Sequence, residues 1–131
     1  MISSLYASLL GLVFLVLTVR VIKLRKSLKV SLGDDGNDNL QRAIRAQGNF
    51  SETVPLALIL IFLGEFSGLR ELYVHLCGIT ILLGRIFHAY GISQNTNVNS
   101  HIRFRVAGMV LTFASIIISL LFNLVLYFLT L

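Results

Sequence analysis

A stripe of four polar residues follows one side of the segment before Pro55, spaced three, four and three residues apart. They are Arg42, Arg45, Asn49 and Glu52. At about 100° per residue in an α-helix, this spacing places all four on one narrow face. Guanidinium groups bind carboxylates through paired hydrogen bonds, and a carboxylate can pair with an ammonium. The stripe therefore predicts a site for an anionic or zwitterionic ligand.

Two later apolar segments also carry polar residues. Arg85 and His88 lie three residues apart and share a helix face, and Arg103 and Arg105 open the next apolar segment. If the helices run alternately up and down, these segments meet the stripe at one membrane depth. We therefore expect a polar cavity there. The alternative interpretation is structural, with Glu52 in a salt bridge to Arg45 or Arg85.

The elements that hold these residues are predicted to be membrane helices. Of the 131 residues, 56% are hydrophobic and 13% are charged, whereas soluble domains carry about 25% charged residues. Lipid must therefore replace water as the main solvent. We predict a single all-α domain over residues 1–131, a polytopic membrane four-helix bundle of up-down topology, with helices at about 3–29, 39–66, 69–91 and 103–131.

The second helix must be longer than its apolar run. Residues 54–66 are too few to cross a bilayer, which takes about 20 residues, so the helix is expected to begin near Leu40. The stripe then lies near membrane depth, where each charged group costs about 2.5 kcal/mol unless it is paired or faces a wet cavity. The first helix has no basic residue before it and a basic cluster after it, which favours a retained span over a cleaved signal peptide.

The basic residues predict the orientation. Of the eleven lysines and arginines, all but Arg70 flank the first or the third loop: Arg20, Lys23, Arg25, Lys26, Lys29, Arg42, Arg45, Arg85, Arg103 and Arg105. Cytoplasmic loops carry an excess of such residues. We therefore expect loops one and three to be cytoplasmic and both termini to face the opposite side.

The stripe also carries a motif. Residues 45–55 fit Arg-x-Gln-x-Asn-x-x-Glu-x-x-Pro, which resembles the signature of the membrane-associated proteins in eicosanoid and glutathione metabolism (MAPEG). The resemblance extends over nearly the whole chain, with four helices, a basic first loop and Gly-Arg-x-x-His in the third helix. Residues 103–109 resemble the short bacterial branch of this family.

The resemblance implies a homotrimer in a bacterial inner membrane that binds glutathione between subunits. It implies that the glutathione-binding residues are Arg45, Gln47, Asn49, Glu52, Arg85 and His88, with Gln47 facing the neighbouring subunit's site. It further implies that Arg105, or failing that Arg103, holds the thiol of glutathione as a thiolate. The function implied is a glutathione S-transferase or peroxidase that uses glutathione as cosubstrate and acts on lipophilic electrophiles or hydroperoxides.

Some positions depart from the family pattern. Thr53 stands where many members have tyrosine, and His88 and Ile92 stand where some have tyrosines, so the ligand shell is expected to be looser or differently selective. Because the family includes a non-enzymatic member, a non-catalytic lipid-binding scaffold is the alternative function. A small multidrug transporter is disfavoured, since the first helix contains no acidic residue. No metal-ligand pattern and no nucleic-acid-binding face is indicated.

Overall fold

The computed structural model describes residues 1–94 and 99–129. It contains four long helices: α1 (Ile2–Leu28), α2 (Asp38–Phe66), α3 (Glu71–Ser93) and α4 (Asn99–Leu129). Each is long and apolar enough to cross a membrane, α4 over His101–Leu129. The residues described include no strand, so the prediction of an all-α four-helix membrane protein is confirmed.

The loop between α1 and α2 is closed at both ends by local backbone chemistry. Lys29 ends α1 in the left-handed conformation (φ 57°). The Asn37 side chain begins α2, since its Oδ1 accepts hydrogen bonds from the backbone N–H groups of Asn39 at 3.1 Å and Leu40 at 3.0 Å. This cap satisfies two otherwise unpaired donors. The polar stripe consequently lies within the first turns of α2.

The turn between α2 and α3 depends on Gly68, whose φ of 88° is in the left-handed region that glycine adopts without strain. The Leu69 N–H donates to the carbonyl of Gly64 at 2.9 Å, so Leu69 takes part in the cap that follows the end of α2. For this reason α3 begins at Glu71 rather than at 69. Helix α4 begins at Asn99, which is earlier than the expected start at 103.

Contacts at the two ends establish the up-down arrangement. At one end, the Arg20 guanidinium near the end of α1 donates to the hydroxyl of Ser93, the last residue of α3. At the other end, the Glu65 carboxylate in the last turn of α2 accepts from the N–H of Ser3 at 2.8 Å. We call the first of these the basic end; it joins the C-termini of α1 and α3 to the N-termini of α2 and α4.

Helices α3 and α4 pack backbone against backbone. A Cβ atom added at Gly108 would lie 2.4 Å from the backbone nitrogen of His88 and 2.6 Å from the carbonyl oxygen of Gly84. Such close approach through small residues is the usual way to gain packing energy between membrane helices, because lipid supplies no hydrophobic drive for association. Many apolar side chains instead face outward, such as Val16 (69% exposed) and Val110 (60% exposed).

Gly108→Ala should therefore destabilise the bundle by separating α3 from α4, with a cost of about 1–3 kcal/mol for an overpacked contact. Gly11→Ala is the matched control, since a Cβ there meets nothing within 4 Å and alanine favours a helix. Thermal unfolding in detergent should show a lower Tm for Gly108→Ala and an unchanged or higher Tm for Gly11→Ala. Equal Tm values for the two variants would contradict the packing described here.

Candidate functional site

A cavity of about 350 Å³ opens at the basic end between α2, α3 and α4. We call it the polar cavity; it is lined by Asp38, Gln41, Arg42, Arg45, Asn49, His88, Ile92 and Arg105. Three arginines face one carboxylate in this lining. The balance of charge therefore favours an anionic ligand, and bidentate carboxylate binding is the chemistry that arginine performs best.

Two buried polar atoms in this lining have no hydrogen-bond partner among the described residues. They are Oδ1 of Asn49 and Nε of Arg42. The Arg42 side chain is held in place by a 2.9 Å bond from its Nη2 to Oδ1 of Asn39. Leaving a buried polar atom unpaired costs about 1–3 kcal/mol. A polar ligand in the cavity would offset this cost by donating to Oδ1 of Asn49 or accepting from Nε of Arg42.

A second cavity, of about 460 Å³, adjoins the first along α4. We call it the apolar groove; it is lined by His88, Ile102, Arg105, Val106, Met109, Val110 and Phe113. His88 and Arg105 belong to both linings. A polar and an apolar compartment therefore meet at these two side chains.

Glycines position both shared residues. A Cβ at Gly91 would lie 2.6 Å from the backbone nitrogen of Arg105 and 2.9 Å from its Cγ. The aliphatic part of the Arg105 side chain therefore packs directly against the backbone of α3 at Gly91. Gly108 does the same for the backbone of His88. The close contact between α3 and α4 thus brings His88 and Arg105 to the junction of the two cavities.

Arg85 lies behind His88 and is fully buried (0% exposed). Its Nη1 donates to the hydroxyls of Thr53 at 3.4 Å and Thr112 at 3.3 Å, and its Nη2 contacts Nδ1 of His88 at 3.0 Å. Its guanidinium carbon stands 5.8 Å from the ring centroid of Phe50, within the range of a cation–π interaction. Among the described residues no carboxylate bonds to this cation.

The structure brings part of the predicted site together. Four of the site residues that the resemblance implies line the polar cavity, namely Arg45, Asn49, His88 and Arg105, and Arg42 of the stripe lines it with them. Arg105 reaches both cavities, whereas Arg103 is exposed and lines neither of them.

The other predicted residues lie outside the lining of the polar cavity. Gln47 donates from Nε2 to the hydroxyl of Thr18 at 2.9 Å and so ties α2 to α1 within the chain. Glu52 is exposed on the outer side of α2. Arg85 supports His88 from below and does not face the cavity.

Three residues of the site were not singled out from the sequence. Asp38 and Gln41 line the polar cavity, and they continue the helical spacing of the stripe by one turn toward its N-terminus. The predicted helix start near Leu40 leaves Asp38 outside the helix, whereas Gln41 falls inside it, one turn before Arg45; continuing the period of the stripe would have found both. Thr112 bonds to Arg85, but a threonine in an apolar helix gives no signal of its own.

Comparison with known proteins agrees with this architecture. The MAPEG family model matches residues 3–125. The inner membrane protein YecN of Escherichia coli K12 is 37% identical over 124 residues, which cover 95% of this chain and 91% of that protein. YecN of Escherichia coli O6:H1 matches with the same identity and coverage. With four membrane-capable helices and a family match over almost its full length, this chain belongs to the MAPEG family.

Proposed function

We propose that this protein is an integral-membrane glutathione S-transferase or peroxidase, in which glutathione occupies the polar cavity and a lipophilic electrophile or hydroperoxide occupies the apolar groove. The observation that carries the proposal is the pair of cavities of opposite character that share His88 and Arg105. Membership of the MAPEG family, which includes glutathione transferases, supports it. The inner-membrane relative supports a location in a bacterial inner membrane.

The lining of the polar cavity suits glutathione, which carries two carboxylates and one ammonium. Arg42 and Arg45 offer forked donors to the carboxylates, and the unpaired Asn49 Oδ1 offers an acceptor to an N–H group. The carboxylate on this cavity in the single chain is Asp38, which would face the ammonium. A volume of about 350 Å³ falls in the usual range for small-molecule sites, about 300–1,000 Å³.

Arg105 is the residue best placed to activate the thiol. A free thiol has a pKa of about 8.5 and is mostly protonated at neutral pH, and a neighbouring guanidinium favours the thiolate. The thiolate is the nucleophile. It would form a bond to the carbon of an electrophile as the leaving group departs. With a hydroperoxide it would bond to the terminal oxygen, releasing an alkoxide that takes a proton from water, and a second glutathione would reduce the resulting sulfenic acid to the disulfide and water. Arg105 lines both cavities, so it can hold the sulfur where the second substrate reaches it.

A second chain is part of the proposal. Glu52 is exposed on α2 and lies outside the polar cavity in the single chain, although charged groups at membrane depth must be paired or face a wet cavity. An adjacent subunit of a homotrimer would cover this face and close the glutathione site between chains. Glu52 would then reach a ligand in the shared cavity. The basic end would lie on the cytoplasmic side, as the distribution of lysine and arginine favours.

Arg45→Ala should weaken glutathione binding roughly 10- to 100-fold, the cost of one lost charge-assisted bond. Calorimetric titration of glutathione into the detergent-purified protein measures this directly. Arg70→Ala is the control, because it removes an exposed arginine from the other end of α3. Equal weakening in both variants would indicate a general charge effect and would contradict the proposed site.

Arg105→Ala should abolish conjugation of a model electrophile and the ultraviolet absorbance of the bound thiolate, while glutathione binding persists. The matched control is Arg103→Ala, since Arg103 is exposed and lies outside both cavities. Unchanged turnover in Arg105→Ala would remove Arg105 from the mechanism. A wild-type protein that binds glutathione but never forms the thiolate would instead support the lipid-binding scaffold.

Native mass spectrometry of the protein released from mild detergent should show an assembly of three chains. Glu52→Lys should shift this distribution toward single chains, because it would add a cation to a proposed shared cavity that already holds three arginines. Glu71→Lys is the control at the opposite end of the bundle, where the same charge reversal lies on an exposed first turn. A wild-type protein that is monomeric across detergents would contradict a site shared between chains.

A further inference from the structure

The contact between Arg85 and His88 determines which ring nitrogen of His88 carries a proton. A guanidinium has five N–H donors and no acceptor. Its Nη2 lies 3.0 Å from Nδ1 of His88, so Nδ1 must accept this bond. An imidazolium, with N–H groups on both nitrogens, could not accept it. The ring is therefore neutral, with its hydrogen on Nε2.

Arg85 cannot turn away from this bond. The side chain is fully buried, and its Nη1 is held by the hydroxyls of Thr53 and Thr112. Those hydroxyls donate their own hydrogens to carbonyl oxygens one turn earlier, Thr53 to Asn49 at 2.8 Å and Thr112 to Gly108 at 2.8 Å. Their lone pairs are thereby left for the guanidinium, so three helices hold Arg85 in one position.

His88 stands where the two cavities meet. It lines both of them, beside Arg105. With Nδ1 occupied by Arg85, the remaining N–H group is the one available to an occupant of the junction. A neutral imidazole with a fixed tautomer can polarise an oxygen atom of a substrate through its N–H group.

We propose that Arg85 is a positioning residue that fixes His88 as a neutral Nε2–H donor, and that His88 hydrogen-bonds an oxygen atom at the reacting centre of the lipophilic substrate. The hydrogen bond from His88 to the substrate rests on the proposed function, whereas the tautomer of His88 does not. His88 neither forms a covalent bond nor transfers its proton. It stabilises the negative charge that develops on oxygen as the thiolate attacks, and water then protonates the resulting alkoxide or enolate. The consequence is selectivity, since hydroperoxides, epoxides and unsaturated carbonyls would benefit and simple haloalkanes would not.

The tautomer is tested without any substrate. Nitrogen-15 NMR of histidine-labelled protein, with the His88 signals assigned by their loss in His88→Phe, should show the Nε2–H tautomer in the wild type. Arg85→Lys should keep it, because an ammonium also donates to Nδ1, whereas Arg85→Met should release it into a mixture. An Nδ1–H or doubly protonated His88 in the wild type would overturn the proposal, even if the Arg85 variants fail to fold.

The hydrogen bond from His88 to the substrate is tested by comparing kcat/KM for cumene hydroperoxide with kcat/KM for 1-iodohexane, which has no oxygen. His88→Phe should lower kcat/KM for the hydroperoxide roughly 100- to 1,000-fold, as expected for one lost donor to a developing negative charge, and leave turnover of the iodoalkane nearly unaffected. His75→Phe is the control, a histidine bonded to Tyr6 away from both cavities. Equal losses on both substrates would overturn the oxygen selectivity. A wild type inactive on both would overturn the proposed function and this role of His88 in turnover, while the NMR result would still decide the tautomer.

Discussion

The architecture of the site depends on one charged group enclosed by three helices. The Arg85 guanidinium is fully buried within a helix that is long and apolar enough to cross a membrane, and an unpaired charge in such a helix is among its most costly features. Two hydroxyls, an imidazole and an aromatic face surround it. Because these groups come from α2, α3 and α4, the cation is satisfied only when the three helices are in register.

The same register creates the cavities. Thr112 holds Arg85 one turn beyond Gly108, whose missing side chain lets α4 lie against the backbone of His88. Gly91 then admits the stem of Arg105. A larger residue at either glycine would push α4 outward and separate Arg105 from His88. Small residues that serve packing thus also determine where the two side chains meet.

The sequence predicted the helices well because hydropathy and length leave few choices in lipid, and the period of the stripe placed Arg45 and Asn49 on the polar cavity. It did not predict that Arg85 lies beneath the cavity, or that Gln47 bonds to Thr18. Both outcomes depend on which face of a helix meets which neighbour, and that is decided by packing between segments distant in sequence. In the sequence, Thr53 is notable only because many family members have tyrosine at that position. In the structure, its hydroxyl accepts a hydrogen bond from Arg85, which gives the threonine a structural role.

The position of the two cavities bears on how a water-soluble reactant and a lipophilic reactant could meet. The polar cavity includes Asp38 and Gln41 in the first turn of α2 and therefore lies at the aqueous end of the bundle, whereas the apolar groove follows α4 as far as Phe113, in its membrane-spanning part. Under the proposed function, a hydrophilic thiol would enter from water and a lipophilic partner from the bilayer. The thiol would not need to enter the lipid, and the lipophilic substrate would not need to enter the water. Their shared boundary is His88 and Arg105, and the buried cation behind it leaves His88 little freedom to turn, so the meeting point would be fixed before either ligand arrives.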